Sequence, residues 1–255
     1  MERARFLRFG WILALAGVTA APAARGQSGS GTTVQVTPYI WMPGIGSDFR
    51  LGPGGPTFRV DRSVGDVLET SDAAFFITGL VKTDRLVLVG DLTHSSSSPE
   101  GLVPTGNPVL PAVSAEGSLR QTSATALAGY RAVELQHVSL DVLGGARAWW
   151  IRAGVTVPAL AVSASAKTSF VDPIFATRIN VKPSSGFSLL LYGDIGGFGA
   201  ASEVTGQAVV TANLRVARKI WLSGGYRYLH VDHKSGGIRV GATLAGPLLG
   251  ATFAF

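Results

Sequence analysis

Hydrophobic and polar residues alternate with a period of two along most of this chain. In EVTGQAVVTANLRV (203–216), Val204, Gly206, Ala208, Val210, Ala212, Leu214 and Val216 share one parity. Glu203, Thr205, Gln207, Thr211, Asn213 and Arg215 share the other, with Val209 among them. Successive side chains of a β-strand point to opposite faces, so such a segment forms a strand with one apolar and one polar face. SLDVLGGARAWW repeats the split, with Leu140, Val142, Ala146, Ala148 and Trp150 against Ser139, Asp141 and Arg147. FVDPIFATRINV sets Val171, Phe175, Ile179 and Val181 against Asp172, Arg178 and Asn180. In FSLLLYGDIGG, Phe187, Leu189, Leu191 and Ile195 oppose Ser188, Tyr192 and Asp194; in LVLVGDLTHS, Leu86, Leu88 and Leu92 oppose Asp91, Thr93 and Ser95.

The pattern predicts ten strands, at 34–43, 73–82, 86–96, 117–131, 138–153, 169–182, 186–198, 203–216, 220–232 and 238–255. Many reach ten residues, which suits the ~9–11 that a tilted strand needs to cross a bilayer and exceeds the ~5–6 of a soluble strand. KTDR, AVELQH, KPSSG and ARK are short connections; SSSSPEGLVPTGNPVLPAVSA and TVPALAVSASAKTS are long ones; FGAAS and HKSGG are intermediate. Counting back from Phe255 as a descending strand puts the four short turns on one side. Outer-membrane barrels keep short turns on the periplasmic side and longer loops outside. Between 44 and 72, GPGGPTF reads as a turn, FRVDRS as a strand and GDVLET as a helical turn. Pairing SDFRL with TFRV would raise the count to twelve, so the expected fold is an all-β, antiparallel up-and-down transmembrane barrel of about 10 strands, within 8–12.

A secreted β-sandwich would alternate in the same way, with its apolar face inside. Three features favour the inverted arrangement. The polar faces carry single charges of nearly balanced sign: Asp91, Arg131, Asp141, Arg147, Asp172, Arg178, Asp194, Arg215 and Arg227. These are expected in the lumen, where buried charges need partners. Aromatics of the apolar parity sit near strand ends, with Tyr130, Phe187, Phe253 and Phe255 at the periplasmic side and Trp150 and Tyr228 at the outer side. They match the two aromatic girdles of a membrane barrel; Trp221 turns inward by parity. Closure also removes the edge that a long apolar last strand would expose.

Composition sharpens this reading. Glycine numbers 33 of 255 residues and charged residues are 15%, against about 7% and 25% in soluble domains. Beyond the N-terminus no run approaches the ~20 apolar residues of a membrane helix. Residues 1–26 read as a secretory signal: Arg3, Arg5 and Arg8, then an apolar stretch Phe9–Val18, then TAAPAARGQ, with cleavage after Ala23 or Gly26. Residues 27–33 form a flexible lead and 34–255 the barrel. The net charge of +6 falls to about +3 once the four Arg and one Glu of the signal are removed. That balance, with no basic block interleaved with aromatics, argues against nucleic-acid binding. Cysteine is absent, which excludes disulfides, thiolate catalysis and Cys-based zinc sites.

TPYIWMPGIGSDF, FVDPIFATRINV, YGDIGGFG and GYRYLHVDH followed by GPLLGATFAF together resemble a largely uncharacterised group of Gram-negative outer-membrane β-barrel proteins. The resemblance covers most of the mature chain, most strongly 170–255 and least 99–114. It implies an outer-membrane location, lipid as surroundings and the barrel-assembly machinery as a partner during biogenesis. Phe253 and Phe255 match the terminal aromatic assembly signal of such proteins. The resemblance brings no reaction and no substrate.

The chemistry-bearing motifs are sparse. There is no P-loop, no H-E-x-x-H, and GGFGAAS lacks the spacing of a dinucleotide site. In HVDH, His230 and Asp232 share a strand face while His233 points away, which is a poor metal cage. His94 beside Ser95–Ser98 lacks a third orienting residue for a hydrolase. We therefore expect no cofactor, no metal and no enzymatic activity. The lumen charges imply either a rigid structural barrel or a narrow conduit for a small polar solute. Ten to twelve strands fall short of the ~16 of an open porin. The alternatives are a surface protein that binds through the loop 95–115, and a lipid-modifying enzyme dependent on His94 or His230.

Overall fold

The computed structural model describes residues 31–50, 57–66, 71–98, 100–104, 112–235 and 238–255. The proposed signal and most of the lead lie outside them. In chain order the strands are β1 (Thr33–Trp41), β2 (Gly44–Arg50), β3 (Thr57–Arg62), β4 (Ser71–Thr83), β5 (Leu86–Ser97) and β6 (Glu100–Pro104). They continue as β7 (Ala112–Glu134), β8 (Val138–Val157), β9 (Val162–Ser184), β10 (Phe187–Gly197), β11 (Ser202–Ala217), β12 (Ile220–Ser235) and β13 (Ile238–Ala254).

Ten of these close into a ring in the order β1, β4, β5, β7, β8, β9, β10, β11, β12, β13, every neighbour antiparallel. The ring shuts where β13 pairs with β1, matching Val36 with Phe253, Tyr39 with Gly250 and Trp41 with Leu248. β1 breaks at Met42–Pro43, because proline has no N–H for the ladder. β2 then resumes the pairing along β13, from Gly44 opposite Ala245 to Arg50 opposite Arg239. The expected pairing of SDFRL with TFRV is present as the β2–β3 hairpin. It prolongs the sheet beyond β1 and adds no stave, so the ring holds ten strands and not twelve.

The strand bounds agree with the alternation to within a few residues except at the outer ends. There the structure corrects two long connections. TVPALAVSASAKTS is not a loop: β8 and β9 run through it and turn on a 3-10 segment, Pro158–Leu160, with Ala161 in the left-handed region at φ 51°. Part of the segment before β7 is also strand, since β6 pairs with the start of β7. β7, β8 and β9 consequently reach 23, 20 and 23 residues. Glycine and small side chains had hidden these extensions, because alternation is weak where both faces meet water.

The exterior is apolar. Ile40, Phe75, Leu92, Val142, Val171, Phe175, Leu191, Val210, Leu222 and Leu249 all stand exposed. Their strand neighbours of opposite parity, among them Asp141, Leu143, Arg147, Asp172 and Arg227, are buried. A soluble sandwich would show the reverse. On β8 the outward run from Leu140 to Trp150 covers about 25 Å of height at the usual strand tilt, the thickness of a barrel's lipid-facing band. Tyr130, Phe187, Phe253 and Phe255 are outward and exposed at the short-turn end, and Trp150 and Tyr228 at the other. The protein is a transmembrane β-barrel with its apolar face toward lipid.

Candidate functional site in the barrel lumen

The inward parity of each strand fills the lumen in layers. At the short-turn end lies a rim of ions. Lys82 of β4 donates to Glu134 Oε1 at 2.6 Å, and Arg131 donates to the same oxygen at 3.0 Å. Arg131 Nε also donates to Asp141 at 2.7 Å, and Arg178 of β9 reaches that carboxylate from the other side at 3.1 Å. Asp141 is fully buried between the two arginines. At the exposed edge, hydrogen bonds from Lys82 and then Arg131 hold the Glu134 carboxyl below its ordinary range.

An apolar layer follows, made of Leu80, Val87, Leu127, Leu143, Ile174 and Ala176. It accounts for inward positions that polar–apolar contrast alone would place outside. Small narrow barrels fill their interior with side chains in this way.

The second polar layer crosses the lumen. Arg147 of β8 passes over β9 and grips Asp194 of β10 with two hydrogen bonds, at 2.6 and 3.2 Å, while its Nε donates to Thr125 at 2.9 Å. Tyr192 donates to Asp194 at 2.6 Å. Gln207 links this half to the next: its Oε1 accepts from Arg227 at 2.7 Å and from Arg147 at 3.5 Å. Arg227 in turn donates to the Tyr39 hydroxyl and lies 3.5 Å from Asp91. Tyr39 and Thr78 both donate to Asp91, at 2.9 and 2.7 Å. Two arginines and two aspartates, with their neutral bridges, thus draw on eight strands. Arg147 and Arg227 are both nearly fully buried. Both have carboxylate partners, as a buried charge requires, though Arg227 Nε has no hydrogen-bond partner among the described residues.

Above this belt the lumen turns aromatic. Trp41, Phe76, Trp149, Phe170, Leu229, Val231 and Leu248 form one buried cluster. Phe76 meets Tyr39 and Trp41, and Phe170 stacks on both Trp149 and His233. Arg227 roofs the belt by lying 4.6 Å from the centre of the Trp41 ring, a cation–π contact. The indole N–H groups of Trp41 and Trp149 find no acceptor among the described residues. Below the belt, a cavity of about 240 Å³ is lined by Thr78, Asp91, Arg147, Arg178, Lys182 and Trp221 among others.

The structure brings most of the nine predicted lumen charges inward but not into one network. Arg131, Asp141 and Arg178 belong to the rim; Asp91, Arg147, Asp194 and Arg227 belong to the belt. Asp172 is a correction: although buried, it pairs with no arginine among the described residues. It faces Arg147 in register, yet its carboxylate accepts from the Ser202 backbone N–H and hydroxyl, both at 2.8 Å. To do so it passes the glycines that end β10. A Cβ at Gly196 would stand 2.2 Å from the Pro173 carbonyl oxygen, so only glycine permits this approach. Arg215 is the second correction: it is exposed at the end of β11 and joins no ion pair among the described residues. Sequence reasoning missed Lys82 and Glu134 as rim members, and Tyr39, Thr78, Thr125 and Gln207 as bridges. Their inward parity was the available signal; the partners across the lumen were not.

His94, His230 and His233 are each held by a hydrogen bond. His94 and His230 point outward, each bonded at 2.8 Å to the threonine opposite, Thr122 and Thr243. His233 turns inward onto Phe170, with Nδ1 at 2.9 Å from the Ala201 carbonyl oxygen. No group of three or more His, Cys, Asp or Glu side chains among the described residues is arranged to hold a metal.

No family model matches this sequence, and no curated protein matches it either. Its fold is shared with solved structures. The outer-membrane protease OmpT from Escherichia coli aligns with 90% of this chain and 99% of its own at 8% identity and a TM-score of 0.53. The translocator domain of the autotransporter NalP from Neisseria meningitidis aligns over 90% of both chains at 14% identity and a TM-score of 0.45. The attachment invasion locus protein Ail of Yersinia pestis aligns with 89% of this chain and 100% of its own at 15% identity and a TM-score of 0.37. The architecture is that of a Gram-negative outer-membrane β-barrel.

Proposed function

We propose that this protein is a closed, structural outer-membrane barrel, one that holds a rigid sheet at the cell surface and passes no solute. The observation that carries the reading is the double seal in the lumen. The Arg147–Asp194 and Arg227–Asp91 belt crosses the bore, and the Trp41, Trp149 and Phe170 layer lies above it. Opening a path would mean unpairing buried charges and unpacking an aromatic cluster together, and either step is costly. The test is planar-bilayer conductance of the refolded protein. The expected record is flat; discrete single-channel steps would return the narrow-conduit reading, for which the cavity lined by Arg178 and Lys182 would be the inner vestibule.

A second reading, binding at the cell surface, is favoured by the length of β7, β8 and β9 and by the pairing of β6 onto β7. These strands continue well past the Trp150 girdle as ordered sheet. A chain that shortens the β8–β9 hairpin between Val155 and Ala164 tests it. Adhesion of expressing cells to matrix-coated surfaces should fall at equal surface display, and unchanged adhesion would reject the reading. For an enzymatic role the placement of His94 and His230 offers little support, since Nδ1 of each is engaged by a threonine on the neighbouring strand.

A further inference from the structure

Just beyond the Trp150 girdle, three adjacent strands place a base at the same level. Arg120 of β7 lies opposite Arg152 of β8, and Arg152 opposite Lys167 of β9. All three are exposed. They share the outward parity of Thr122, Trp150 and Ser169, which form the next outward row on the membrane side. At the usual strand spacing the three cations span about 10 Å. None of them has a hydrogen bond or ion pair with another described residue.

Like charges directly opposite in a sheet repel, and nothing in the row offsets the repulsion. The outward neighbours on the far side are Ser118, Gly154 and Ser165. On these three strands the nearest described carboxylate of the same face is Glu116, four positions from Arg120 and so about 13 Å along the strand. A row of solvated surface charges would be interspersed with acids. Height decides what the row faces. Trp150, half exposed at 49%, ends the apolar band, and Trp marks the boundary between acyl chains and head groups. One outward position is about 6–7 Å further along the strand, which is head-group depth.

We propose that Arg120, Arg152 and Lys167 bind the phosphates of an outer-leaflet glycolipid, with the acyl chains of that lipid against Trp150 and Val171. The guanidinium fork engages two phosphate oxygens at once, and the lysine adds a point charge. A span of about 10 Å suits a head group bearing two phosphates better than one. The proposal takes from the proposed function only the orientation, long strands outward; it does not depend on whether the lumen conducts.

The test uses the refolded barrel in maltoside micelles, titrated with bis-phosphorylated lipid A, fully dephosphorylated lipid A, inorganic phosphate and a sulfated polysaccharide. The wild type should bind the bis-phosphorylated lipid at least tenfold more tightly than the dephosphorylated one. The combined variant Arg120→Gln, Arg152→Gln, Lys167→Gln should lose that preference, while Lys234→Gln, a base on another strand paired with Glu203, should keep it. Heat-modifiable gel mobility confirms that each variant is folded; should the triple variant not fold, Arg152→Gln alone, at the centre of the row, should lose several-fold. Equal binding of the two lipids, an unchanged triple or single variant, or tighter binding of the polysaccharide would overturn the proposal. Binding of inorganic phosphate as tight as that of the lipid would also overturn it. Flat conductance with no lipid preference would leave the closed barrel standing and remove this site.

Discussion

Arg147 faces Asp172 across the β8–β9 ladder but gives its charge to Asp194, one strand further on. The reason lies in competing partners: Asp172 is already satisfied by the Ser202 N–H and hydroxyl at 2.8 Å, and Asp194 presents both oxygens to the guanidinium fork. A bidentate pair is the stronger arrangement. The result is a tie that skips a strand and braces the bore.

Removing one end of this tie should therefore cost more than removing both. Asp194→Ala leaves the Arg147 charge buried without a carboxylate and should destabilise by about 3–5 kcal/mol. Arg147→Met with Asp194→Leu should lose much less. Urea unfolding of the protein refolded in vesicles, followed by tryptophan fluorescence, ranks the two.

At Trp149 two effects oppose each other. The side chain is 1% exposed in the aromatic layer, and truncation to Ala should cost about 3–5 kcal/mol through the space it leaves. Its N–H, however, is buried without an acceptor among the described residues, at a cost of about 1–3 kcal/mol. Trp149→Phe should thus lie close to the wild type in stability. Only the Ala variant is expected to show conductance steps.

Gly145 lies against the backbone of β7, and a Cβ there would stand 2.0 Å from the Ala126 carbonyl oxygen. Gly145→Val should abolish the heat-modifiable folded form. Gly193 of β10 has nothing nearer than 4.0 Å to a built Cβ, so Gly193→Ala should fold normally. Gel mobility after refolding separates them.

The rim should weaken in acid. Glu134 lies beyond the Tyr130 girdle, and its pKa is lowered from the ordinary value of 4.5 by Lys82 and Arg131. A carboxyl whose pKa is lower folded than unfolded stabilises fully above the unfolded value and loses that contribution as pH falls through the folded one. The stability of the wild type should thus decline below about pH 4.5 more steeply than that of Glu134→Gln. The difference should be small, since the group is half exposed and water screens it. Parallel curves from pH 3 to 6 would remove Glu134 from the account.

The alternation made the ring legible because each strand repeats the same demand, lipid on one side and lumen on the other. Val142 and Trp150 outward against Asp141 and Arg147 inward follow from parity alone. What parity does not carry is distance across a bore. Leu143 and Ile174 are inward yet apolar, because they pack with Leu80, Val87 and Leu127 into a layer that fills the space next to the rim. The partners of Arg227, Tyr39 and Asp91, sit 188 and 136 residues away in sequence, and no local signal joins them. The outer extensions of β8 and β9 escaped notice for a different reason: VTVPALAVSASA lies beyond the membrane, where neither face is held to one polarity.

The pairing that shuts the ring joins its first and last strands, β1 and β13. Thr37 and Thr252 meet through their hydroxyls at 2.8 Å, 215 residues apart. Of the other nine seams, seven are local hairpins, while β1–β4 and β5–β7 close over the intervening β2–β3 and β6. Loop-closure entropy grows with separation, and contacts between distant residues form slowly. Pro38 further deprives β1 of one backbone donor at this junction. The rate of folding should accordingly be set here: seven seams zip early from local turns, two more close over short intervening strands, and the barrel waits, as an open curled sheet, for β1 to find β13.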